Sequence, residues 1–497
     1  MGPAMFESAE LGHTIDKERY EAEEPALREA LLNAQYDLLE KKGFPVIILI
    51  SGVDGAGKGE TVNLLHEWMD PRHIETHALD APSQEETDRP AFYRFWRALP
   101  PKGKIGIFFT SWYTEPILSR VHRQTSNADL DQRMEQIRLF ERMLASEGAL
   151  ILKFWFHLSK RQQKDRLEKL EAKARTRWRV TDQDWRHFKL YDRFRRISER
   201  SLRETSTAEA PWIVVEGADA RYRSLAVGRA ILGAVRGRLD EPVEKPTESH
   251  TAPFLPPVDN VNVLRRLDLA QSMDKETYEQ ALDKHQGELS RLTRNPRFRD
   301  ISVIAVFEGS DAAGKGGAIR RVTGALDARQ YHIFPIAAPT EEERAQPYLW
   351  RFWRHLPRRG KLAIFDRSWY GRVLVERVEG FASESAFMRA YAEINDFEEQ
   401  LVRHRIVVVK FWLQISEEEQ LKRFKEREQT SFKRFKITAD DWRNREKWAA
   451  YELAVCDMVD RTSTEIAPWT LVEANDKHFA RIKVLRTLSE RIESALR

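Results

Sequence analysis

Several features that define other classes of protein are scarce in this sequence of 497 residues. There is one cysteine, Cys456, so no disulfide can form within the chain, as is typical of proteins from a reducing compartment. No apolar run approaches the length that crosses a membrane, and the acidic start has no signal-peptide core. The 82 Lys and Arg residues nearly balance the 78 Asp and Glu residues, which argues against a protein that coats nucleic acid. These absences predict a cytoplasmic protein that binds neither membrane nor nucleic acid.

Glycine is also sparse, at 23 residues, but it recurs in two loops of the same form. One loop spans residues 52–59 after the apolar run 46–50, and the other spans 309–316 after the run 303–307. Each has the G-x-x-x-x-G-K pattern of a Walker A motif between a strand-like and a helix-like segment, the context in which this pattern binds phosphate. The glycines allow backbone N–H groups to surround an anion, and the lysine adds positive charge. Both loops therefore predict binding of phosphoryl groups.

The two loops are part of a duplication of whole domains. Their lysines, Lys58 and Lys315, lie 315 − 58 = 257 positions apart. The same offset relates four pairs of tryptophans: Trp112 and Trp369, Trp155 and Trp412, Trp185 and Trp442, and Trp212 and Trp469. A constant offset excludes two unrelated domains, and it is far longer than a solenoid repeat. We predict domains at residues 1–239 and 261–497, joined by a linker at 240–260 that is rich in proline.

The fold class follows from the pattern of apolar runs in the second half. Strands are predicted at 303–307, 332–336, 362–365, 406–413 and 470–473, with charged helical stretches between them. Continuous runs of Val, Ile and Phe are typical of parallel strands covered on both faces by helices. The sequence thus predicts two tandem α/β domains of the P-loop kinase type, with ligands at the carboxyl ends of the strands. A leader helix is predicted before each core, from Glu24 to about Lys42 and from Asp274 to Arg294.

Two carboxylates in the second half are candidate ligands for Mg²⁺. The common P-loop has a Ser or Thr hydroxyl after its lysine, but here that position is Gly316. Asp311, within the loop, offers a carboxylate instead. Asp366 ends a predicted strand, at the position of a Walker B acid. Carboxylates at neighbouring strand ends suit Mg²⁺ held partly by water and substrate oxygens, although Asp311 could be a helix cap and Asp366 a solvated charge.

Arginines follow Asp366 directly. Arg367 and Arg372 are the leading candidates for binding phosphate, because a guanidinium presents a rigid fork of donors to phosphate oxygens. Arg377 is a weaker candidate, with a salt bridge to a helix carboxylate as the alternative. Glu376 could position the acceptor or the metal, or could be a plain surface residue.

The segment from Arg423 to Lys447 is rich in basic and aromatic residues. Its position after the fourth strand favours a lid that closes over phosphates, with Lys433, Arg434 and Lys436 binding them. A solvated helix face is the main alternative. Interleaved basic and aromatic residues can also bind single-stranded nucleic acid, but the aromatic residues here have the spacing of a helix core.

Three stretches together resemble the polyphosphate kinase 2 family. They are residues 309–317 (GSDAAGKGG), 349–353 (LWRFW) and 365–372 (FDRSWYGR), and the two-domain layout resembles the polyphosphate:AMP phosphotransferase branch of that family. The resemblance implies a thymidylate-kinase-like fold with a helical lid, polyphosphate as donor and AMP as acceptor, giving ADP. It implies metal binding by Asp311 and Asp366, and catalytic roles for these two residues with Lys315 and Arg367. The resemblance extends to Arg372 and Glu376, and to the lid residues only as a group. With the candidates from the residues themselves, the predicted phosphate- or nucleotide-binding set is Gly309, Gly314, Gly316, Gly317, Arg372, Glu376, Arg377, Lys433, Arg434 and Lys436.

The first half lacks much of this set. At the constant offset, Asp366 corresponds to Phe109, Arg367 to Thr110 and Arg372 to Glu115. We therefore expect the first half to be catalytically degenerate and to pair with the second, with a homo-oligomer as a further option. Two other functions stay open for the chain: an ATP-dependent kinase for nucleotides or small molecules, and a scaffold that binds polyphosphate or nucleotide without catalysis.

Overall fold

A computed structural model describes residues 5–241, 261–430, 437 and 439–497. The described residues form two compact units. The first unit contains the described residues within Met1–Pro82, Arg94–Val243 and Pro339–Trp350. The second unit contains the described residues within Ser83–Tyr93, Glu244–Ala338 and Arg351–Arg497. All of the predicted linker except residues 240 and 241 lies outside the described residues.

The elements of the first half surround one sheet. The strands are β1 (Val46–Gly52), β2 (Ile74–His77), β3 (Ile105–Phe108), β4 (Leu150–His157) and β5 (Trp212–Glu216). The helices are α1 (Lys17–Lys41), α2 (Lys58–Trp68), α3 (Gln84–Thr87), α4 (Tyr93–Arg97), α5 (Thr114–Val121), α6 (Asn127–Ser146), α7 (Lys160–Ala172), α8 (Asp182–Lys189), α9 (Tyr191–Thr205) and α10 (Ala220–Asp240).

The second half repeats this order. Its strands are β6 (Ser302–Gly309), β7 (Tyr331–Pro335), β8 (Leu362–Asp366), β9 (Ile406–Gln414) and β10 (Trp469–Glu473). Its helices are α11 (Lys275–Arg294), α12 (Lys315–Thr323), α13 (Glu341–Arg344), α14 (Trp350–Trp353), α15 (Val375–Val378), α16 (Glu384–Arg403), α17 (Glu417–Gln429), α18 (Ala439–Glu446), α19 (Trp448–Thr462) and α20 (Lys477–Leu496).

Both sheets are parallel and have the same strand order. The order is β2-β3-β1-β4-β5 in one sheet and β7-β8-β6-β9-β10 in the other. The strand that leads into the glycine-rich loop is therefore the central strand of its sheet, β1 in the first half and β6 in the second. Residues Val303 to Phe307 of β6 are fully buried, as expected for a strand covered on both faces. The predicted tandem α/β fold is confirmed.

The first leader helix begins earlier than predicted, at Lys17 rather than near Glu24. The reason is a cap: the side chain of Asp16 accepts a hydrogen bond from the backbone N–H of Arg19. The second leader helix begins at Lys275, where Asp274 caps it in the same way through Thr277, so its predicted start is one residue away. In the described part of the chain, no helix is long and apolar enough to span a membrane.

Each unit also buries one lysine–glutamate pair between a strand of its sheet and a helix. In the second half, Lys410 Nζ lies 2.7 Å from Glu398 Oε2, and both side chains are almost fully buried. Glu398 Oε1 accepts hydrogen bonds from Trp369 Nε1 (3.0 Å) and the Tyr370 hydroxyl (2.7 Å). The counterparts in the first half are Lys153, Glu141, Trp112 and Tyr113, with the same bonds. Burial raises the pKa of each glutamate, and the paired lysine opposes that shift.

Candidate active site

The loop of the second half depends on two glycines in left-handed conformations. Gly309 has φ of +150°, and a Cβ there would lie 2.6 Å from the carbonyl oxygen of Leu413. Gly314 has φ of +107° and caps α12. Because α12 starts at the next residue, Lys315, the unpaired N–H groups of its first turn lie at the loop. The Lys315 ammonium donates to the carbonyls of Gly309 (2.6 Å) and Ser310 (3.3 Å), so its charge lies within the loop.

The end of β8 lies beside this loop because β6 and β8 are paired neighbours. Phe307 pairs with Asp366, and the backbone N–H of Arg367 donates to the Phe307 carbonyl at 3.0 Å. Arg367 itself has φ of +65°, which is strained for a residue with a side chain. The sheet thus brings Asp366 and Arg367 to the edge where the loop begins.

Asp311 and Arg367 form an ion pair. Arg367 Nη2 lies 3.2 Å from Asp311 Oδ1, and Asn444 Nδ2 donates to Asp311 Oδ2 at 2.9 Å. Burial would lower the pKa of Arg367, but the charges of Asp311 and other nearby carboxylates outweigh it, and the pKa is raised. Arg367 therefore stays charged at the point where the loop and the end of β8 meet.

Two cavities open on this ion pair. The first, the basic cavity, has about 1650 Å³ of empty volume up to its open mouth. Its lining includes seven cationic side chains: Lys315, Arg320, Arg367, Arg423, Arg427, Lys477 and Arg481. It also includes Asp311, Asp366, Gly314, Gly316 and Gly317. Four carboxylates also line the cavity, Asp311, Asp366, Glu426 and Asp441, so the cationic side chains outnumber the acidic ones by 7 − 4 = 3. An excess of positive charge in a cleft favours binding of a polyanion, although the chain as a whole is nearly neutral.

The second, the apolar cavity, has about 820 Å³ of empty volume up to its mouth. Its lining includes Leu264, Leu374, Val375, Trp412, Trp448, Tyr451 and Val455, with Glu308, Gln414 and Asn444 among the polar groups. Of the described residues, only Asp311 and Arg367 line both cavities. A flat apolar ligand with an anionic end would therefore meet a polyanion at this ion pair.

Glu308 is a residue of the site that the sequence did not predict. It is 5% exposed, lines the apolar cavity next to Gly309, and accepts a 2.8 Å hydrogen bond from the Ser368 hydroxyl. Burial raises the pKa of its carboxyl, while Ser368 and the charge of Lys315 oppose the shift. A charged residue between an apolar run and the loop glycine was the available signal.

The basic cavity also contains cations that the sequence did not single out as ligands. Arg320 lies on α12, Arg427 on α17, and Lys477 and Arg481 on α20. These helices are far apart in the chain, so no local motif connects them. Of the predicted lid residues, Lys433, Arg434 and Lys436 lie outside the described residues. Farther along the same segment, Arg443 pairs with Glu379 and Arg445 with Glu417.

Three other residues that the sequence predicted to bind phosphate or nucleotide form ion pairs outside the two cavities. Arg372 pairs with Glu376 at 2.8 Å, one helical turn away. Arg377 pairs with Asp457 of α19 at 2.7 Å and donates to the Tyr391 hydroxyl at 2.9 Å. None of the three predicted residues lines either cavity. For Arg377, this placement favours the salt bridge that the sequence left as the alternative.

The loop of the first half has a different environment. Asp54 Oδ2 lies 3.0 Å from His187 Nδ1, and Lys58 is 3.4 Å from Asp54 Oδ1. A Cβ placed on Gly57 would lie 2.1 Å from the guanidinium carbon of Arg223, so that arginine lies directly against the loop. Glu60, at the position of Gly317, pairs with Arg223 at 2.8 Å and with Arg166 at 3.0 Å. The first half thus neutralises the arginines near its loop with its own carboxylate.

The cations of the basic cavity are largely missing from the first half. At the constant offset, Arg320, Arg367, Arg427, Lys477 and Arg481 correspond to Asn63, Thr110, Leu170, Ala220 and Ser224. Lys58 and Arg166 are the two that remain. A polyanion would find far less positive charge at this loop.

The residues of the second half fit a hard divalent cation with few protein ligands. Asp311 and Asp366 both line the basic cavity, and oxygen donors of this kind suit Mg²⁺. Among the described residues, no group of three or more His, Cys, Asp or Glu side chains could hold a metal ion. A metal here would thus take most of its ligands from water and phosphate oxygens.

Comparisons with known proteins agree with this geometry. The model of the family described as polyphosphate kinase 2 matches residues 14–242 and 272–497. The chain is 60% identical over 491 residues to a polyphosphate:AMP phosphotransferase of Pseudomonas aeruginosa, covering 99% of each chain. It is 38% identical over 475 residues to one of Acinetobacter johnsonii, covering 93% of this chain and 95% of the other. A crystal structure described as a polyphosphate kinase 2 of Pseudomonas aeruginosa matches with a TM-score of 0.90 and 58% identity over 99% of each chain.

Proposed function

The chain belongs to the polyphosphate kinase 2 family, and we propose that it transfers the terminal phosphoryl group of inorganic polyphosphate to AMP, giving ADP. One observation supports this most strongly: a basic and an apolar cavity share the Asp311–Arg367 pair. A polyanionic donor fits the basic cavity, and a nucleoside monophosphate fits the apolar one. The relatives named polyphosphate:AMP phosphotransferase, which match over nearly the whole chain, support the same assignment.

The donor would lie along the basic cavity with its last phosphates at the loop. Lys315 and the first turn of α12 would neutralise the terminal phosphate, and Arg427 of α17 with Lys477 and Arg481 of α20 would bind the rest of the chain. In phosphoryl transfer, most of the catalysis comes from positioning and from stabilising charge on the moving group. Arg367, which lines both cavities, would stabilise that charge.

The acceptor would enter the apolar cavity with its phosphate toward Arg367. A phosphate oxygen of AMP attacks the terminal phosphorus, a new P–O bond forms, and the P–O bond to the shortened polyphosphate breaks. Release of Arg367 from Asp311 would free the guanidinium for phosphate and the Asp311 carboxylate for a metal. We propose Asp311 and Asp366 as the Mg²⁺ ligands; the bound ion would neutralise phosphate charge.

We propose that the first half does not contribute to turnover. Phe109 stands where Asp366 would bind metal, and Arg223 and Glu60 lie at its loop. The domain boundaries, the pairing of the two halves, a homo-oligomer and the cytoplasmic location stay predictions from the sequence.

The test compares donors. With AMP and Mg²⁺ present, we expect ADP to form at least about tenfold faster with polyphosphate than with ATP, because the basic cavity fits a long polyanion. Chelation of Mg²⁺ should stop the reaction. A faster reaction with ATP would instead support an ordinary nucleotide kinase. Tight binding of both substrates with no ADP formed would support the scaffold.

A further inference from the structure

A short turn that precedes the second leader helix, residues 262–267, is built around Asn262. The Asn262 side-chain oxygen accepts hydrogen bonds from the backbone N–H groups of Leu264 (3.0 Å) and Arg265 (2.9 Å). The N–H of Leu267 donates to the carbonyl of Leu264 at 3.2 Å. These bonds fix the backbone on both sides of Leu264.

The 262–267 turn is attached to α19 through one carboxylate. Glu452 Oε1 accepts from Asn262 Nδ2 at 2.6 Å and from Arg265 Nε at 2.7 Å. Leu264, between these two contacts, is 4% exposed and lines the apolar cavity together with Glu452 and Val455 of α19. A residue remote in sequence from every phosphate-binding motif is therefore part of the cavity wall.

The first half has a turn before its own leader helix, and a cavity of about 1110 Å³ of empty volume lies at the equivalent place, lined by Trp155 among others. The backbone N–H of Met5 donates to Glu199 of α9 at 2.7 Å, so this turn is also held by a carboxylate of the equivalent helix. Phe6, fully buried, stacks on Trp155 with ring centres 5.7 Å apart and on His157 at 4.7 Å. At the constant offset, Trp155 and His157 correspond to Trp412 and Gln414, which line the apolar cavity.

The polar groups at Gln414 already have partners. Its side-chain oxygen accepts from Trp412 Nε1 at 2.7 Å, and its Nε2 donates to the Ile415 carbonyl at 3.0 Å. These bonds hold the Gln414 side chain in place, and the neighbouring wall is formed by apolar side chains such as Leu264 and Val455, so the size and shape of a ligand contribute to its selection there.

We propose that the 262–267 turn is a wall of the acceptor site and that Leu264 is a specificity-determining residue, which sets how far the base of the acceptor nucleotide enters. This inference rests on the proposed function, since it assigns the apolar cavity to the acceptor. The leader-helix caps Asp16 and Asp274 lie 274 − 16 = 258 positions apart, and at this offset Phe6 corresponds to Leu264.

The test uses the full chain and measures KM separately for AMP and for polyphosphate. Leu264→Phe, which imitates Phe6, should raise the KM for AMP about tenfold or more, because added side-chain volume excludes part of the base. Leu264→Ala should change the KM for AMP by about threefold to tenfold, because the cavity is enlarged. In both variants the KM for polyphosphate should stay within about twofold of the wild-type value, since Leu264 does not line the basic cavity.

Leu282→Ala is the matched control. Leu282 is a leucine of the second leader helix that packs against the core of the same unit and lines neither cavity. This variant should leave both KM values within about twofold of wild type. If Leu264→Phe does not fold, as judged by its thermal melt, Leu264→Ala decides by the same criterion.

An unchanged KM for AMP in a folded Leu264→Phe or Leu264→Ala variant would overturn the inference, and so would equal changes for both substrates. The wild-type chain separates this outcome from failure of the proposed function. If wild type makes ADP from AMP and polyphosphate but the variants behave like it, only the role of Leu264 is lost. If wild type makes no ADP, the proposed function itself fails.

Discussion

The two halves of the chain keep the same buried polar network but differ at the loop. Both retain a Trp, a Tyr and a Lys that bond to one buried Glu, with the Lys on a strand and the Glu on a helix. Only the second half also has the aspartate and arginine that precede its Trp–Tyr pair, and the helix cations that face its loop. In the segment 365–372, therefore, Trp369 and Tyr370 support the fold, whereas Asp366 and Arg367 supply the chemistry.

The largest difference in activity between the two halves should appear when the loop lysine of each half is replaced separately. Lys315→Ala should lower kcat/KM for ADP formation by about 1,000-fold or more, because it removes a charge at the terminal donor phosphate. Lys58→Ala is matched to it, since Lys58 donates to the same two carbonyl positions of its own loop. We expect Lys58→Ala to change kcat/KM by less than about twofold. A comparable loss in both variants would show that the first half takes part in turnover.

Neutralising the glutamate of the buried lysine–glutamate pair should lower the free energy of unfolding to a similar extent in the two halves. Glu398→Gln keeps a hydrogen-bond acceptor for Trp369 and Tyr370 but leaves the Lys410 ammonium without a carboxylate. We expect it to lower the free energy of unfolding by about 3–5 kcal/mol, because an unpaired buried charge is costly. Glu141→Gln should have the same effect on the first half. Calorimetry of the full chain would measure both, and a clear inequality would mean that the two networks are not equivalent.

The smallest effect concerns the loop aspartates, which have different partners. Asp54 bonds to His187, whereas Asp311 bonds to Asn444, which does not titrate. The hydrogen bond to Asp54 raises the pKa of His187 above its usual 6.5. Burial would raise the pKa of Asp54, but His187 and Lys58 outweigh it and lower the pKa to about 2.

The sign of the pH dependence follows from these shifts. A raised histidine pKa contributes stability that is complete below the unfolded pKa and is lost as pH rises through the folded pKa. Wild type should thus lose up to about 1 kcal/mol between about pH 5.5 and about pH 8, a small amount because both side chains are more than one-third exposed. Denaturant titrations of His187→Asn, which imitates the second half, should lack this dependence. If the variant keeps it, another group is responsible.

The fold was predictable because the duplication and the continuous apolar strands each indicate it independently. Asp311, Lys315, Asp366 and Arg367 were predictable as neighbours, because a parallel sheet brings the ends of β6 and β8 together. Arg481 could not be found in this way, since it reaches the basic cavity from α20, whereas Arg427 of α17 lies within the segment from Arg423 to Lys447 that the sequence predicted as a lid. Arg377 was predicted from its closeness in sequence to Arg367, but the backbone of α15 directs it to Asp457. The proposed wall at Leu264 could not be predicted from the sequence, because it depends on how the 262–267 turn packs on α19.

The shared Asp311–Arg367 pair has a consequence for the route of the phosphoryl group. Among the described residues, Asp311 and Arg367 are the two that line both cavities, so a donor and an acceptor bound in them would meet at this pair. The phosphoryl group would pass directly from the donor oxygen to the acceptor oxygen, without a phosphorylated protein intermediate. An acceptor phosphate bound beside the last donor phosphate would compete with water for that position, which favours ADP over the hydrolysis of polyphosphate.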